Sequence, residues 1–585
     1  MRNLELARIF YQMADFLEMK EVPFKPRAFE KAARALESLE KDVADIYQRD
    51  GLVALKEIPG VGQGIAERIE EFIKTGKIKD YQRLKKECPV DVESLMAVEG
   101  LGSRKIKILY KKLKIKNLKD LEKAAKAGKI GKLEGFGQKS EENILQGIAF
   151  VRSSKGRFLL GSILPAVRQI IARLEKLPET SRVEAAGSVR RMKETIGDID
   201  ILATSSKPAK VMDFFVRMPA LPDGSQDGTE VVKVWAKGPT KSSVRLKGGF
   251  DCDLRVIQRE SFGAALQYFT GSKDHNILIR RLAIKKGLKL NEYGVFRGKK
   301  QIAGRNEKKV YRAIGLPYIE PELRTNSGEI EAAIRQAQGR PDGLPRIIGY
   351  QDIKGETHCH TDWSDGAETI EQMAQAAKRM GYQYMVIADH AGFLKIAHGL
   401  DEKRLLKQMI EIDKVNQRVS GIKILKGCEV DIKDDGSLAI KDEVLAKLDI
   451  VLGAVHSSFK MNQADMTKRL ARAIANPHLD IIAHPTGRLI RKREAYRFDF
   501  SKIFKTAKEN RTALEINAYS DRLDLKDADI RQAVQAGVKL TIGTDAHSSR
   551  HLPMMELGIA QARRGWATKK DILNSKSVRE FLKSF

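Results

Sequence analysis

The chain has 585 residues, 42% hydrophobic and 31% charged, with a formal net charge of +29. That length exceeds what one hydrophobic core can serve, so three or more domains are expected, and the composition is that of a chain with folded cores. No stretch approaches the ~20 consecutive apolar residues of a membrane span, and the acid-bearing start MRNLELARIFYQMADFLEMK is unlike a secretory signal.

Cys88, Cys252, Cys359 and Cys428 lie far apart without a C-x-x-C pair. That excludes a disulfide framework or zinc finger and points to a reducing cytoplasm. Residues 1–345 carry 66 Lys+Arg against 45 Asp+Glu, whereas the remaining 240 carry 40 against 32. A basic front half suits a polyanionic partner, nucleic acid, because each neutralised phosphate releases counterions.

Residues 1–150 predict short helices, with apolar residues at three- and four-residue spacing. One phrase recurs there: Ile58-Pro-Gly60-Val-Gly62, Val98-Glu-Gly100-Leu-Gly102 and Leu133-Glu-Gly-Phe-Gly137. Each precedes an amphipathic helix start. Such a turn presents bare backbone N–H groups at a positive dipole end, which suits a phosphate oxygen and reads no bases. The pattern resembles the helix-hairpin-helix DNA-binding motif.

From about residue 155 strand-like runs appear, among them RVEAAGSV, DIDILATS, EVVKVWAK and FDCDLRVIQ. They carry Gly187-Ser188-Val-Arg-Arg191, then Asp198-Ile-Asp200, then Asp253. On a strand, residues two apart face the same side, so Asp198 and Asp200 point together. A third carboxylate from the Asp253 strand completes a cluster that needs divalent cations to offset its repulsion. Two Mg²⁺ or Mn²⁺ ions there would activate a primer hydroxyl and stabilise pyrophosphate, with Ser188 and Arg191 holding a triphosphate.

The sequence here is similar to DNA polymerase family X, and the likeness continues through Tyr268-Phe-Thr-Gly-Ser-Lys-Asp-His-Asn276 to Arg280. The resemblance implies that Tyr268, Phe269 and Gly271 form the turn beside the nucleotide sugar. It further implies that Asn276 meets the base edge, Arg280 the template strand and Arg157 the triphosphate. Lys25 matches a residue that binds a 5′-phosphate. The position of the family's Schiff-base lysine is Arg68, which stays protonated, so the 5′-deoxyribose-phosphate lyase step is not expected.

After residue 346, seven short apolar runs alternate with helical stretches and imply a parallel, barrel-like α/β domain with its chemistry at strand ends. His358, His360, Asp365, His390, Glu429, His456, His484, Asp545 and His547 fall there. Imidazole mixed with carboxylate suits Zn²⁺, Mn²⁺ or Fe²⁺, and nine ligands imply two or three ions acting on a phosphoester. The series resembles the PHP (polymerase and histidinol phosphatase) domain. The remaining histidines, 275, 398, 478 and 551, read as structural, and Arg488 as a candidate for a substrate phosphate.

The expected fold class is multidomain, α+β and α/β: a helical DNA-binding front, a nucleotidyltransferase palm with thumb, and a distorted seven-stranded barrel. The expected segments are 1–82 and 83–152 (helix-hairpin-helix domains), 153–260 (palm), 261–319 (thumb), 320–345 (a linker with one helix) and 346–585 (PHP). The function so implied is a gap-filling DNA polymerase with a 3′–5′ exonuclease, extending to apurinic-site endonuclease or 3′-phosphatase action. Its partners are gapped or primer-template DNA and dNTPs, with no membrane, and the chain is read as a cytoplasmic monomer. The alternative is a small-molecule phosphoesterase fused to a DNA-binding module.

Overall fold

The computed structural model describes every residue except 1, 21, 23–24, 40–41, 59, 88, 93–94, 96–97, 99–100, 139, 143, 146, 149–156, 220–228, 394–396 and 491–492. Gly100 and Cys88, both singled out in the sequence, lie outside the described residues. Two compact units emerge. The first comprises Met1–Phe158, Gln169–Gly187 and Gly197–Tyr318; the second comprises Leu159–Arg168, Ser188–Ile196 and Ile319–Phe585.

The first unit opens with helices α1 (Arg2–Met19), α2 (Lys25–Ser38), α3 (Val43–Lys56), α4 (Gln63–Thr75), α5 (Lys79–Glu87), α6 (Ser103–Leu113) and α7 (Leu118–Lys126). In α1, Leu6, Phe10, Met13 and Leu17 are buried, one stripe at helical spacing. Helix α4 buries Ile65, Ala66, Ile69 and Phe72, and ends at Gly76 in the left-handed region, whose N–H donates to the Phe72 carbonyl.

A five-stranded mixed sheet follows: β1 (Thr180–Ala185), β2 (Ile199–Ser205), β3 (Val231–Lys237), β4 (Lys241–Leu246) and β5 (Asp251–Val256), in the order β1-β2-β5-β4-β3. Strands β2 and β5 run parallel, and their register sets Asp200 directly beside Asp253. Helices α8 (Phe262–Thr270) and α9 (Lys273–Lys285) come next, then a small antiparallel sheet of β6 (Lys289–Asn291), β7 (Gly294–Arg297) and β8 (Lys300–Ala303).

In the second unit, seven strands follow one parallel path: β9 (Gly355–Cys359), β10 (Tyr384–Ile387), β12 (Lys423–Asp431), β13 (Ile450–Ala454), β14 (Ile481–Ile482), β15 (Ala513–Asn517) and β16 (Leu540–Gly543). The short β11 (His390–Ala391) pairs beside β12. A bridge from Cys359 to Ala546 brings the first and last strands together. The strands are buried on both faces, which is why they read as continuous apolar runs. Fully buried Glu356 pins that seam, accepting from the His358 and Thr544 backbone N–H groups at 2.9 and 3.0 Å and from the Thr544 hydroxyl at 2.8 Å.

The stretch expected as a linker is ordered. It holds helix α10 (Glu329–Ala337) and buries Glu322, Arg324 and Glu329. Glu322 takes the Arg563 guanidinium at 2.8 Å and the Tyr350 hydroxyl at 2.8 Å. Among the described residues no helix is long and apolar enough to cross a membrane.

Candidate functional site

Strand pairing, not sequence proximity, builds the first centre. Asp200 and Asp253 stand side by side on β2 and β5, and Asp198 precedes β2. Desolvation and then the charge of Asp253 raise the Asp198 carboxyl above its usual range, while Arg157 pulls the other way. Lys241 reaches Asp253 at 3.2 Å and Arg255 at 3.8 Å. Gly187 lies at φ +58°, and a Cβ there would overlap Asp200 Oδ2 and lie 3.3 Å from Asp200 Cγ. Only glycine lets the turn approach that carboxylate. Ser188 and Arg191 fall on the segment Ser188–Ile196 of the second unit.

The aromatic turn is built by α8 and α9. Tyr268 and Phe269 pack edge to face at 5.2 Å, with the Arg255 guanidinium 4.5 Å from the Phe269 ring, and Gly271 adopts φ +67° as the C-cap. Asn276 is buried and its amide is hydrogen-bonded within the protein. It donates to the Tyr268 carbonyl at 2.7 Å and accepts from Gln267 at 2.7 Å. The two bonds fix the amide's orientation and use one of its two N–H donors and one of its two acceptor lone pairs. Arg280 donates to the Asn276 carbonyl at 3.2 Å.

In the helical front, Gly60 (φ +87°) turns the chain and Gly62 caps α4; Gly102 caps α6. A Cβ at Gly62, Gly102 or Gly137 would meet nothing within 4 Å, so these helix starts stand open. Lys25 is exposed at the start of α2. Arg68 is ion-paired with Asp80, donates to the Gly64 carbonyl and lies 5.7 Å from the Phe29 ring. Its guanidinium is thus committed to structure.

At one end of the second unit's barrel the nine residues picked from the sequence converge. Three overlapping groups have ligand atoms within 4.8 Å of one another: His360, Asp365, His390 and His547; His358, His360 and Asp545; His390, Glu429 and His456. His484 Nε2 joins them, 2.7 Å from Glu429 Oε1. His484 and Asp545 adopt φ +30° and +53°, strained backbone for residues with a Cβ.

Several hydrogen-bond partners not singled out in the sequence orient these side chains. His358 Nδ1 donates to Glu515 at 2.7 Å, His456 Nδ1 to Asp431 at 2.8 Å and His547 Nδ1 to the Asp545 carbonyl at 2.9 Å. Each bond fixes a tautomer and leaves Nε2 facing the cluster. Asp389 accepts from the Thr361 N–H and hydroxyl at 2.7 and 2.6 Å and from Gln408 at 2.6 Å, tying down the turn between His360 and Asp365. Arg522 pairs with Asp545 at 3.2 Å. Arg488 instead pairs with Glu194 at 2.7 Å and with the Leu523 carbonyl, so it is not displayed for a substrate phosphate.

The electrostatics follow from crowding. Burial alone would lower His358 and His456, but Glu515 and Glu429 prevail, raising His358 well above its usual range and His456 to about 9. Burial and then His390 push His360 down to about 3. Glu429 and Asp545 are held well below the carboxylate range by the imidazoles, against their burial. His390 Nδ1 and Glu429 Oε2 lie 2.8 Å apart, yet neither has a hydrogen-bond partner, and His360 Nδ1 and His484 Nδ1 are buried without one. Lone pairs aimed at one another across such distances, with an imidazole–carboxylate donor set, fit divalent transition metals. In the first unit the neighbouring side chains Asp198, Asp200 and Asp253 offer only carboxylate oxygens, a donor type that suits a harder ion.

Three family models match: a helix-hairpin-helix domain over residues 1–78, a DNA polymerase beta thumb over 265–325 and a PHP domain over 356–519. The DNA polymerase/3′-5′ exonuclease PolX of Bacillus subtilis is 38% identical over 99% of this chain and 98% of its own length. A probable phosphatase of Thermoanaerobacter sp. is 32% identical over 39% of this chain and 94% of its own. DNA polymerase lambda of Rattus norvegicus is 26% identical over 55% of this chain and 56% of its own.

Proposed function

The chain belongs to the family X DNA polymerases that carry a PHP domain, and from that premise we propose which residues perform its two activities. It is a DNA polymerase and a 3′–5′ exonuclease, with DNA and dNTPs as substrates. We assign extension to Asp198, Asp200 and Asp253, and hydrolysis to the nine residues gathered around Glu429. The observations that carry the assignment are the strand register that sets Asp200 beside Asp253, whose charge also acts on Asp198, and the imidazole–carboxylate groups gathered in the barrel.

Asp198, Asp200 and Asp253 would hold Mg²⁺ or Mn²⁺, and the barrel cluster two or three Zn²⁺, Mn²⁺ or Fe²⁺. Bound there, such ions lower the pKa of a coordinated hydroxyl or water and offset charge on the phosphate. The chain's own residues do the rest. Tyr268 and Phe269 flank the sugar, Gly187, Ser188, Arg191 and Arg157 receive the triphosphate, and Asn276 and Arg280 face base and template. The open helix starts at Gly62 and Gly102 grip backbone phosphates, and Lys25 takes a 5′-phosphate at the gap. Glu515 and Asp431 keep His358 and His456 oriented, each holding the Nδ1 proton. Apurinic-site cleavage and 3′-phosphatase action use the same barrel centre, and three free buried cysteines suit a reducing cytoplasm. The chain acts as a monomer.

The test is a separation of functions. Asp198→Ala/Asp200→Ala abolishes extension on gapped DNA and spares Mn²⁺-dependent 3′ trimming; His358→Ala/His360→Ala does the reverse. Trimming that disappears with the aspartates instead refutes the assignment.

A further inference from the structure

Phe393 stands on the rim of the barrel centre, three positions after His390, with 67% of its surface exposed. A phenylalanine left in water forgoes a burial worth about 1.5–3 kcal/mol, so its display calls for a reason. The display is built into the fold. Gly392 turns the chain at φ +123°, and a Cβ there would lie 2.7 Å from the Ala439 Cβ and 3.0 Å from Asp431 Oδ2. The Phe393 N–H donates to Asp431 Oδ2 at 2.8 Å, while Asp431 Oδ1 accepts from His456 Nδ1 at 2.8 Å. One carboxylate therefore ties both the aromatic residue and a metal-type imidazole. Lys433, two residues beyond Asp431, places its ammonium 5.7 Å from the ring centroid.

A flat apolar face, a neighbouring cation and a phosphoesterase centre joined through one carboxylate make up the elements of a single-strand nucleic-acid site. We propose that Phe393 is the stacking platform for the terminal base of a single-stranded 3′ end, with Lys433 beside the adjoining phosphate. A base inside a duplex has both faces covered and cannot use the ring, so frayed, mispaired or unpaired ends are the ones selected. Every base has such a face, so the selection is for unpaired state and not for sequence. This rests on the hydrolytic assignment made above.

The experiment uses the full chain with Mn²⁺, 5′-labelled single-stranded oligonucleotides, and Phe393→Ala and Phe393→Trp variants. Phe393→Ala is expected to raise KM for trimming about 5- to 100-fold with kcat within about twofold, and Phe393→Trp to restore KM. On an oligonucleotide whose 3′ nucleotide lacks a base, wild type and Phe393→Ala should share one KM. A second readout needs no turnover: in EDTA, a 3′-terminal 2-aminopurine is quenched on binding wild type and less so on binding Phe393→Ala. Unchanged KM, an equal loss on the baseless end, or undiminished quenching each overturns the proposal. Wild type that fails to trim at all overturns the hydrolytic assignment instead, and the platform with it.

Discussion

Gly187→Ala tests how tightly the turn is fitted to the Asp200 carboxylate, to which extension is assigned above. The substitution places a side chain at φ +58°, at a backbone cost of about 1 kcal/mol. The larger effect is steric, because the new Cβ overlaps Asp200 Oδ2 and lies 3.3 Å from Asp200 Cγ. Restoring ordinary separation displaces the carboxylate by about 1 Å, and a misplacement of that size costs on the order of 100-fold in rate. The backbone cost alone lowers Tm by at most about 2–4 °C in a unit of this size, so folding survives. Single-nucleotide insertion on gapped DNA is therefore expected to fall about 100-fold in kcat, with 3′ trimming within about twofold of wild type. Insertion within threefold of wild type would refute the argument, and so would an equal fall in trimming.

Glu515→Gln keeps the shape but weakens the hold on His358 Nδ1, and is expected to reduce metal affinity of the barrel about 10- to 100-fold by titration calorimetry; unchanged affinity refutes the orienting role. Burial raises Asp480 to about 7, although it accepts the Val451 N–H at 2.8 Å. A carboxyl whose folded pKa is raised contributes most below its unfolded pKa of ~3.9 and loses that contribution as pH rises through 7. Asp480→Asn should accordingly gain Tm over wild type at pH 8 and little at pH 4, and a constant difference across that range would contradict the shift. With Arg68 paired to Asp80, borohydride is expected to trap no adduct at residue 68 with a 5′-deoxyribose-phosphate end; a trapped adduct there overturns the expectation.

The barrel's histidine–carboxylate cluster was legible because its residues fall at or near the ends of short apolar runs. A histidine or acid in that place has few other uses, and nine in register exhaust them. The acid triad was legible from Asp198 and Asp200 at spacing two, but the adjacency of Asp253 depends on strand register, which spacing does not encode. Glu515 and Asp431 lie on barrel strands β15 and β12, and neither was singled out from the sequence. The available signal was a lone acid in an otherwise apolar buried strand, which must have a partner. Arg488 shows the converse: its place after His484 suggested a phosphate, whereas Glu194, distant in sequence, claims it. The burial of Glu322 within 320–345 could not be read from spacing, because it depends on its distant partners Arg563 and Tyr350.

The seam that joins Cys359 to Ala546 also sets an order of events during synthesis. Nucleophile-activating chemistry needs residues from both edges of the sheet, and Asp545 and His547 leave the ribosome well after His358 and His360. On the assignment proposed above, a chain interrupted before Gly543 lacks that edge and is expected to bind Mn²⁺ poorly, which metal titration of such a truncation checks. The barrel cluster is thus completed last, after the first unit has already been translated.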